Sequence, residues 1–297
     1  MRRLALAFGL AVLGAALPHA AQAPFRSSVD LVPVFATVVE RDGGFRSGLT
    51  KDDFTVLDNG KPQTITSFSA ETQAISVSLI LDTSASMVAA ERRVLRAARL
   101  FLDQLRGDDR AMVGTLWFQG PPFTADKDRL GDSISMLPRD GSSPIYGALN
   151  RSLNALQTEP NRRVIVIYTD GKNQGFIGRS LSSPRGLVPA DPAQLEANLR
   201  ARAERDGVMI YALGFEGVSL TKSMKTIATR SGGRAAELKR DDDLAAALAS
   251  VVDELHHQYL LGFTPSTFDG LVHKLEVKVK PRGLTVRARQ SYVAKGG

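Results

Sequence analysis

Ser76-Val77-Ser78-Leu79-Ile80-Leu81-Asp82-Thr83-Ser84-Ala85-Ser86 decides how the rest of the chain is read. Its first half is an apolar run with β-branched content, bounded by polar residues. That is the pattern of a strand buried on both faces of a parallel sheet. It stops at a carboxylate and two hydroxyls on alternate positions, Asp82, Ser84 and Ser86. Open α/β sheets place their ligand sites on loops that leave the carboxyl ends of central strands. Small oxygen donors on such a loop suit a hard divalent cation. Taken alone, the same residues also suit the cap of the helix that follows.

Two later stretches carry related chemistry. Gly141-Ser142-Ser143-Pro144-Ile145-Tyr146 brings hydroxyls to the start of a helix, with Pro144 suited to its first turn. Val164-Ile165-Val166-Ile167-Tyr168-Thr169-Asp170-Gly171 is a second buried-strand pattern ending in an aspartate, although Asp170-Gly171 alone also reads as a turn. Together the three stretches resemble the metal-ion-dependent adhesion site of von Willebrand factor A domains. Asp82-Thr83-Ser84-Ala85-Ser86 is similar to the D-x-S-x-S signature. Gly141 to Tyr146 is similar to the G-G-T-x-L-Y loop, with Ser143 where the family usually has threonine. Asp170 stands where the second metal-site aspartate does. The resemblance covers roughly Ala74 to His257, and the flanks resemble those of secreted bacterial relatives.

The resemblance implies a Mg²⁺ ion, or Mn²⁺ or Ca²⁺, held by Asp82, Ser84, Ser86, Ser143 and Asp170. It further implies an open coordination position that takes an Asp or Glu from a protein partner. Serine at 143 keeps the oxygen and loses a methyl, so metal binding is expected to survive. The helix N-terminus beside the site opposes a cation, and the two aspartates must override it. The other non-enzymatic reading is a structural envelope protein whose metal only rigidifies the fold.

Around this centre the chain alternates strands and helices. The pattern predicts helices over Val88–Arg106, Leu130–Leu137, Pro144–Leu156, Pro192–Arg205, Leu220–Arg230 and Asp241–His257. Strands are expected at Ala111–Phe118, Val164–Thr169, Val208–Leu213 and Arg234–Glu237, with a short edge strand after Pro122. The fold class is therefore α/β, a doubly wound, Rossmann-like, mainly parallel sheet. Arg92, Arg93, Arg96 and Arg99 fall on the solvated side of the first helix.

The flanks read as β. Val29–Val39, Phe54–Leu57 and Gln63–Phe68 are too few strands to close a core. Gln258–Phe263, the alternating Leu271–Lys280 and Leu284–Arg289 supply more. The expected organisation is a small β-sandwich built from 24–73 and 258–297, with the A domain over 74–257 inserted between them.

Residues 1–23 read as a secretory signal peptide: Arg2 and Arg3, a short apolar run from Leu4 to Leu17, then Ala21-Gln22-Ala23 as the cleavage site. An uncleaved anchor is the alternative, and no other run is long enough to span a bilayer. Export to the periplasm, cell surface or medium is expected. Loss of Arg2 and Arg3 lowers the formal charge from +7 to +5, and nothing in the sequence resembles a nucleic-acid motif. With no cysteine, stability has to come from a core of ordinary size rather than from disulfides.

Enzyme chemistry finds little support. A dehalogenase-type phosphatase needs a carboxylate two residues after its aspartate, where this chain has Ser84. A serine hydrolase needs a base, and the histidines after the leader, His256, His257 and His273, lie far along the chain. No G-x-S-x-G, H-E-x-x-H, P-loop or G-x-G-x-x-G occurs. The stretch from Gly171 to Asp191 is long for a compact domain. It reads either as a partner-selecting loop, with Phe176, Ile177 and Leu181 as apolar anchors, or as a surface excursion.

Overall fold

The structure, a computed structural model, describes residues 31–139, 143–171, 191–215, 217–240 and 243–295. The leader, the Gly141-Ser142 pair and 172–190 of the long loop lie outside them, as does the Ser86 side chain.

The chain begins with β1 (Val32–Val39), β2 (Phe54–Asp58), β3 (Lys61–Gln63) and β4 (Ser67–Ser69). The α/β part follows: β5 (Ile75–Leu81), α1 (Glu91–Gln104), β6 (Arg110–Thr115), α2 (Lys127–Ser135), α3 (Ile145–Leu156) and β7 (Arg162–Thr169). It continues with α4 (Pro192–Asp206), β8 (Met209–Gly214), α5 (Lys222–Arg230), β9 (Ala235–Glu237) and α6 (Leu244–His256). The end of the chain adds β10 (Tyr259–Phe263), β11 (Val272–Val279), β12 (Thr285–Arg287) and β13 (Ser291–Val293).

Five strands form one parallel sheet in the order β6-β5-β7-β8-β9. Every residue of β5 is buried, as its apolar run requires. Alternate residues feed two cores. Val77, Leu79 and Leu81 pack with α1 and α6, whereas Ile80 packs with α3. The same split places Val166 and Tyr168 on one face and Ile165 and Ile167 on the other. Ser76 and Ser78 point at the α3 side, where Glu159 and Ser152 satisfy them at 2.7 and 2.8 Å. The strand order reverses direction between β5 and β7. That switch point is where doubly wound sheets open a crevice.

The flanks close a second core. One four-stranded sheet runs β12-β1-β10-β4 and the other β13-β11-β2-β3, all pairings antiparallel. Val34, Val38, Phe54, Val56, Tyr259, Leu261, Phe263 and Leu275 fill the space between them. Pro33 fits because β1 is paired on one side at a time. Its first half pairs with β10 and its second half with β12, so Pro33 lies where the other edge is open.

Four details differ from the sequence expectation. The run expected as one strand over Gln63–Phe68 is two short strands. β3 pairs with β2 in one sheet and β4 with β10 in the other, so the chain crosses between sheets at 64–66. β13 is a further three-residue strand beyond the expected set. α1 begins at Glu91, because a 3-10 turn over Ala85–Met87 and a further turn over 88–90 occupy the preceding residues. After Pro122 only an isolated bridge forms, between Ala111 and Thr124.

The two cores are joined through α6. Glu254, fully buried, accepts from the Thr37 hydroxyl of β1 at 3.1 Å and pairs with Arg287 of β12 at 2.8 Å. A chain ending at His257 would strip β1 of both partners and β2 of β11. It is expected to show no cooperative unfolding transition for the remaining flank strands. The milder Leu261→Ala change, at a fully buried site, should cost about 2–5 kcal/mol. Urea denaturation measures both, and a truncated chain with an unchanged midpoint would contradict the shared sandwich.

Inside the sandwich, His273 Nδ1 lies 2.8 Å from Asp58 Oδ1, and its Nε2 lies 3.2 Å from both oxygens of Asp269. The Tyr292 hydroxyl donates to Asp58 Oδ2 at 2.9 Å. Burial pulls the His273 pKa down, but hydrogen bonds and charge from Asp269 and Asp58 outweigh it, and the net shift is upward from 6.5. Asp269 is held below the ordinary carboxylate range by the Leu271 N–H and by His273, so it stays ionised around this histidine's titration. A raised folded pKa means that folding favours the protonated ring. That contribution is complete below the unfolded pKa and is lost as pH rises through the folded one. His273→Gln should therefore cost most near pH 5–6 and progressively less toward pH 8, read from urea midpoints across that range.

Candidate metal centre

β5 and β7 are paired in register up to Leu81 and Tyr168, and the Asp82 N–H extends the ladder to the Tyr168 carbonyl at 2.9 Å. The two strands consequently deliver Asp82 and Asp170 side by side at the switch point. Asp82 is 1% exposed and Asp170 4%.

The Asp82 carboxylate is held on both oxygens. Oδ1 accepts from the Ser84 N–H at 3.0 Å. Oδ2 accepts from the Thr169 hydroxyl at 2.8 Å and from the Asp170 N–H at 3.4 Å. Thr169 in turn accepts from the Gly171 N–H at 3.1 Å. Gly171 has φ +73°, a left-handed turn that suits glycine, and a Cβ there would meet the Leu220 backbone at 3.4 Å. The loop after β5 is fixed from the other side by the Thr83 hydroxyl, which donates to the Pro138 carbonyl at 2.9 Å. A shallow crevice lies beside Asp82 and Thr83, walled by Met87 and Val94 and edged by Arg139. Arg139 grips Glu91 of α1 with two hydrogen bonds, at 2.9 and 2.6 Å.

Ser84 is 4% exposed on the same loop. Ser143, also 4% exposed, sits two residues before α3. α3 runs antiparallel to β5. Ser152 meets Ser78 at mid-strand, and Glu159, beyond the helix end, meets Ser76 near the start of the strand. Its first turn, with Ser143, therefore lies toward the carboxyl end of β5, the end that carries Asp82. Ser86 belongs to the 3-10 turn Ala85–Met87. The structure brings Asp82, Ser84, Thr169 and Asp170 into one hydrogen-bonded group and places Ser143 at the same end of the sheet.

The donor chemistry fits a hard cation. The group offers two buried carboxylates and neutral hydroxyls, all oxygen, with no histidine or thiol. Among the described residues no lysine or arginine is ion-paired to Asp82, and its partners are neutral donors. The sequence pattern does not mark Thr169 as part of this group; its role follows from the pairing of β5 with β7.

The three described histidines are used elsewhere. His256 Nε2 meets Asp109 Oδ2 at 2.9 Å, at the amino end of the sheet. His257 contacts the Asp253 carbonyl, and His273 lies in the sandwich. None is shown beside Ser84.

Residues 77–173 match the von Willebrand factor type A domain family. A solved von Willebrand factor type A protein from Catenulispora acidiphila is 12% identical, covering 91% of this chain and 76% of its own, with a TM-score of 0.51. That breadth takes the likeness in fold beyond the matched segment and into the flanks. Similar as well are the vWF domain of the type V pili tip protein Mfa5 from Porphyromonas gingivalis (16% identity, 62% of this chain and 95% of that one, TM-score 0.47) and an aerotolerance-related membrane protein from Bacteroides fragilis (16%, 61% and 100%, TM-score 0.46). No curated protein matches the chain. Among the described residues, no helix is long and apolar enough to cross a membrane.

Thr169→Val keeps the shape of the side chain and removes its hydroxyl. Asp82 Oδ2 then loses its short donor and the Gly171 N–H loses its acceptor. Each buried group so stranded costs about 1–3 kcal/mol. Urea denaturation in chelator should show a loss of that order, and an unchanged midpoint would mean that the Asp82 carboxylate does not depend on this bond.

Proposed function

We propose that this protein is an exported, non-enzymatic protein-binding module that engages an acidic group of a partner through a Mg²⁺-type ion. The observation that carries the reading is the buried pair Asp82 and Asp170 at the switch point, with Asp82 held by neutral donors alone. Asp82, Ser84, Ser86, Ser143 and Asp170 would hold the metal, which when bound supplies a positive centre able to accept an anionic oxygen from outside.

The chain's own residues prepare that centre. Thr169 and the N–H groups of Ser84 and Asp170 fix the direction of the Asp82 carboxylate before any cation arrives. Preorganisation of this kind lowers the cost of ordering on binding. The Thr83–Pro138 and Arg139–Glu91 contacts tie down the segments beside it. Ser84 and Ser143 are neutral, so two carboxylates roughly balance a divalent ion and leave its field available to a partner. The candidate leader over 1–23 supports an exported location, and the absence of cysteine is compatible with one. Against a hydrolase, the described histidines are engaged elsewhere, with Asp109, Asp253 and Asp58. Side-chain contacts of the loop over 172–190 with a partner belong to this reading as an extension from sequence.

Calorimetric titration with Mg²⁺ or Mn²⁺ tests the metal. Wild type should bind, and Asp82→Ala or Asp170→Ala should abolish binding while the circular dichroism spectrum stays that of a folded chain. Equal affinity in Asp82→Ala would remove the assignment. Capture of partners from envelope extracts should require magnesium and be lost in chelator. If capture is the same in chelator, a structural role for the domain becomes the better account.

A further inference from the structure

The opposite end of the parallel sheet, where β7 and β8 begin and the sandwich docks, has a different chemistry. A cleft of about 470 Å³ lies between β1 and the amino ends of these strands. Phe35 and Met209 contribute apolar wall, and Arg162, Arg163 and Arg289 contribute charge. Clefts between two packed units, mostly apolar with a few convergent polar groups, are the usual form of a small-molecule site.

The arginines lack anionic partners. Arg162 is 9% exposed, and its guanidinium lies 4.3 Å over the Phe35 ring. Its terminal nitrogens donate to the Leu255 carbonyl at 3.1 Å and the Met209 thioether at 3.3 Å, and its Nε has no acceptor. Glu254 and Asp109 act on it through space, without a hydrogen bond among the described residues. Arg289 makes no hydrogen bond or ion pair among the described residues. Its Nε is buried and unsatisfied, and its guanidinium lies 5.8 Å from the Tyr292 ring. Arg163 has only a long bond from Nε to the Glu159 carbonyl, at 3.4 Å. Burial lowers the pKa of Arg162 and of Arg289 to about 10, so both remain charged at neutral pH in surroundings that oppose the charge. Asp206, a carboxylate on the cleft wall, is already paired with Arg202 at 3.4 Å and Arg205 at 3.0 Å. Buried guanidinium donors without acceptors are costly, and a bound oxyanion would satisfy them with charge-assisted bonds.

We propose that this cleft binds a small ligand that carries an oxyanion, phosphate or carboxylate, on an apolar body. Arg289 and Arg163 contact the anion, Arg162 supplies buried positive charge behind it, and Phe35 and Met209 receive the apolar part. The site is separate from the metal centre, at the other end of the same strands.

The test uses the whole chain in chelator, so that no metal can hold the anion. Phenyl phosphate and benzoate are titrated calorimetrically, and the two arms separate a phosphate from a carboxylate preference. Saturable binding of at least one is expected, with the same affinity when magnesium replaces chelator. Arg289→Gln should weaken it about tenfold or more through loss of a charge-assisted contact. A second measurement covers the case in which that variant does not fold: phenylglyoxal labelling of wild-type Arg163 and Arg289, followed by mass spectrometry, should be slowed by the bound probe. Absence of saturable binding for both probes, undiminished affinity in Arg289→Gln, or labelling rates indifferent to the probe would each overturn the assignment. None of these outcomes bears on the metal reading, which is tested in magnesium.

Discussion

A carboxylate that is 1% exposed must be satisfied or neutralised, and Asp82 is satisfied by the chain itself. Its two oxygens collect one hydroxyl and two backbone N–H groups from the loops at the ends of β5 and β7. Those strands can deliver such donors only because the sheet order reverses between them and leaves a crevice. The bond from Thr169 crosses that crevice, and the Gly171 turn is anchored to the same hydroxyl. The geometry of the candidate centre therefore follows from one interaction between neighbouring strand ends. The register of β5 against β7 has to be correct for it to form.

The second constraint is closure of the sandwich. Neither flank has enough strands to cover its own apolar face, so both ends of the chain must meet. α6 makes that meeting rigid, since β10 begins three residues after the helix ends, and Glu254 reaches from the helix to β1 and β12. Removing Arg287 would leave the buried Glu254 with only the longer Arg234 contact at 3.6 Å, and weakening a buried pair from one side is costly. The inserted α/β unit and the sandwich are thus coupled through a charged group at their junction.

What could be read from the residues follows from periodicity. The central strands announce themselves because burial on both faces leaves mainly apolar runs, and Asp82 and Asp170 stand out as the carboxylates that follow them. The shared sandwich was visible as a shortage of strands at one end and a surplus at the other. The split of 63–68 was not visible. Ile65 and Phe68 are its only apolar residues and stand three apart, too sparse a pattern to report which sheet each half joins. β13, three residues long, carries too little pattern to register. Thr169 was hidden for a different reason: a threonine at the end of a strand is ordinary by composition, and only the pairing of β5 with β7 gives its hydroxyl a carboxylate to bond. The Arg162 and Arg289 environment was equally hidden, because the two residues are distant in sequence and meet only when the sandwich docks.

The two ends of the parallel sheet end up with opposite electrostatics, and the cause is architectural. At the carboxyl ends of β5 and β7 the polar groups converge on the switch point, where Asp82 is held by a hydroxyl and two backbone N–H groups and Asp170 lies beside it. Amino ends are where the sandwich sits. There the strand entries place Arg162 and Arg163 under a second unit, which removes water from the charge without providing an acid in exchange. Asp109 at that end is taken by His256 and by the Ile75 and Arg106 backbone, and Glu254 by Thr37 and Arg287. The acids near this end are therefore committed to holding the fold together, while guanidinium groups remain over. If one end takes a cation and the other an anion, as proposed, the length of the strands keeps the two chemistries apart. Neither site then needs to neutralise the other.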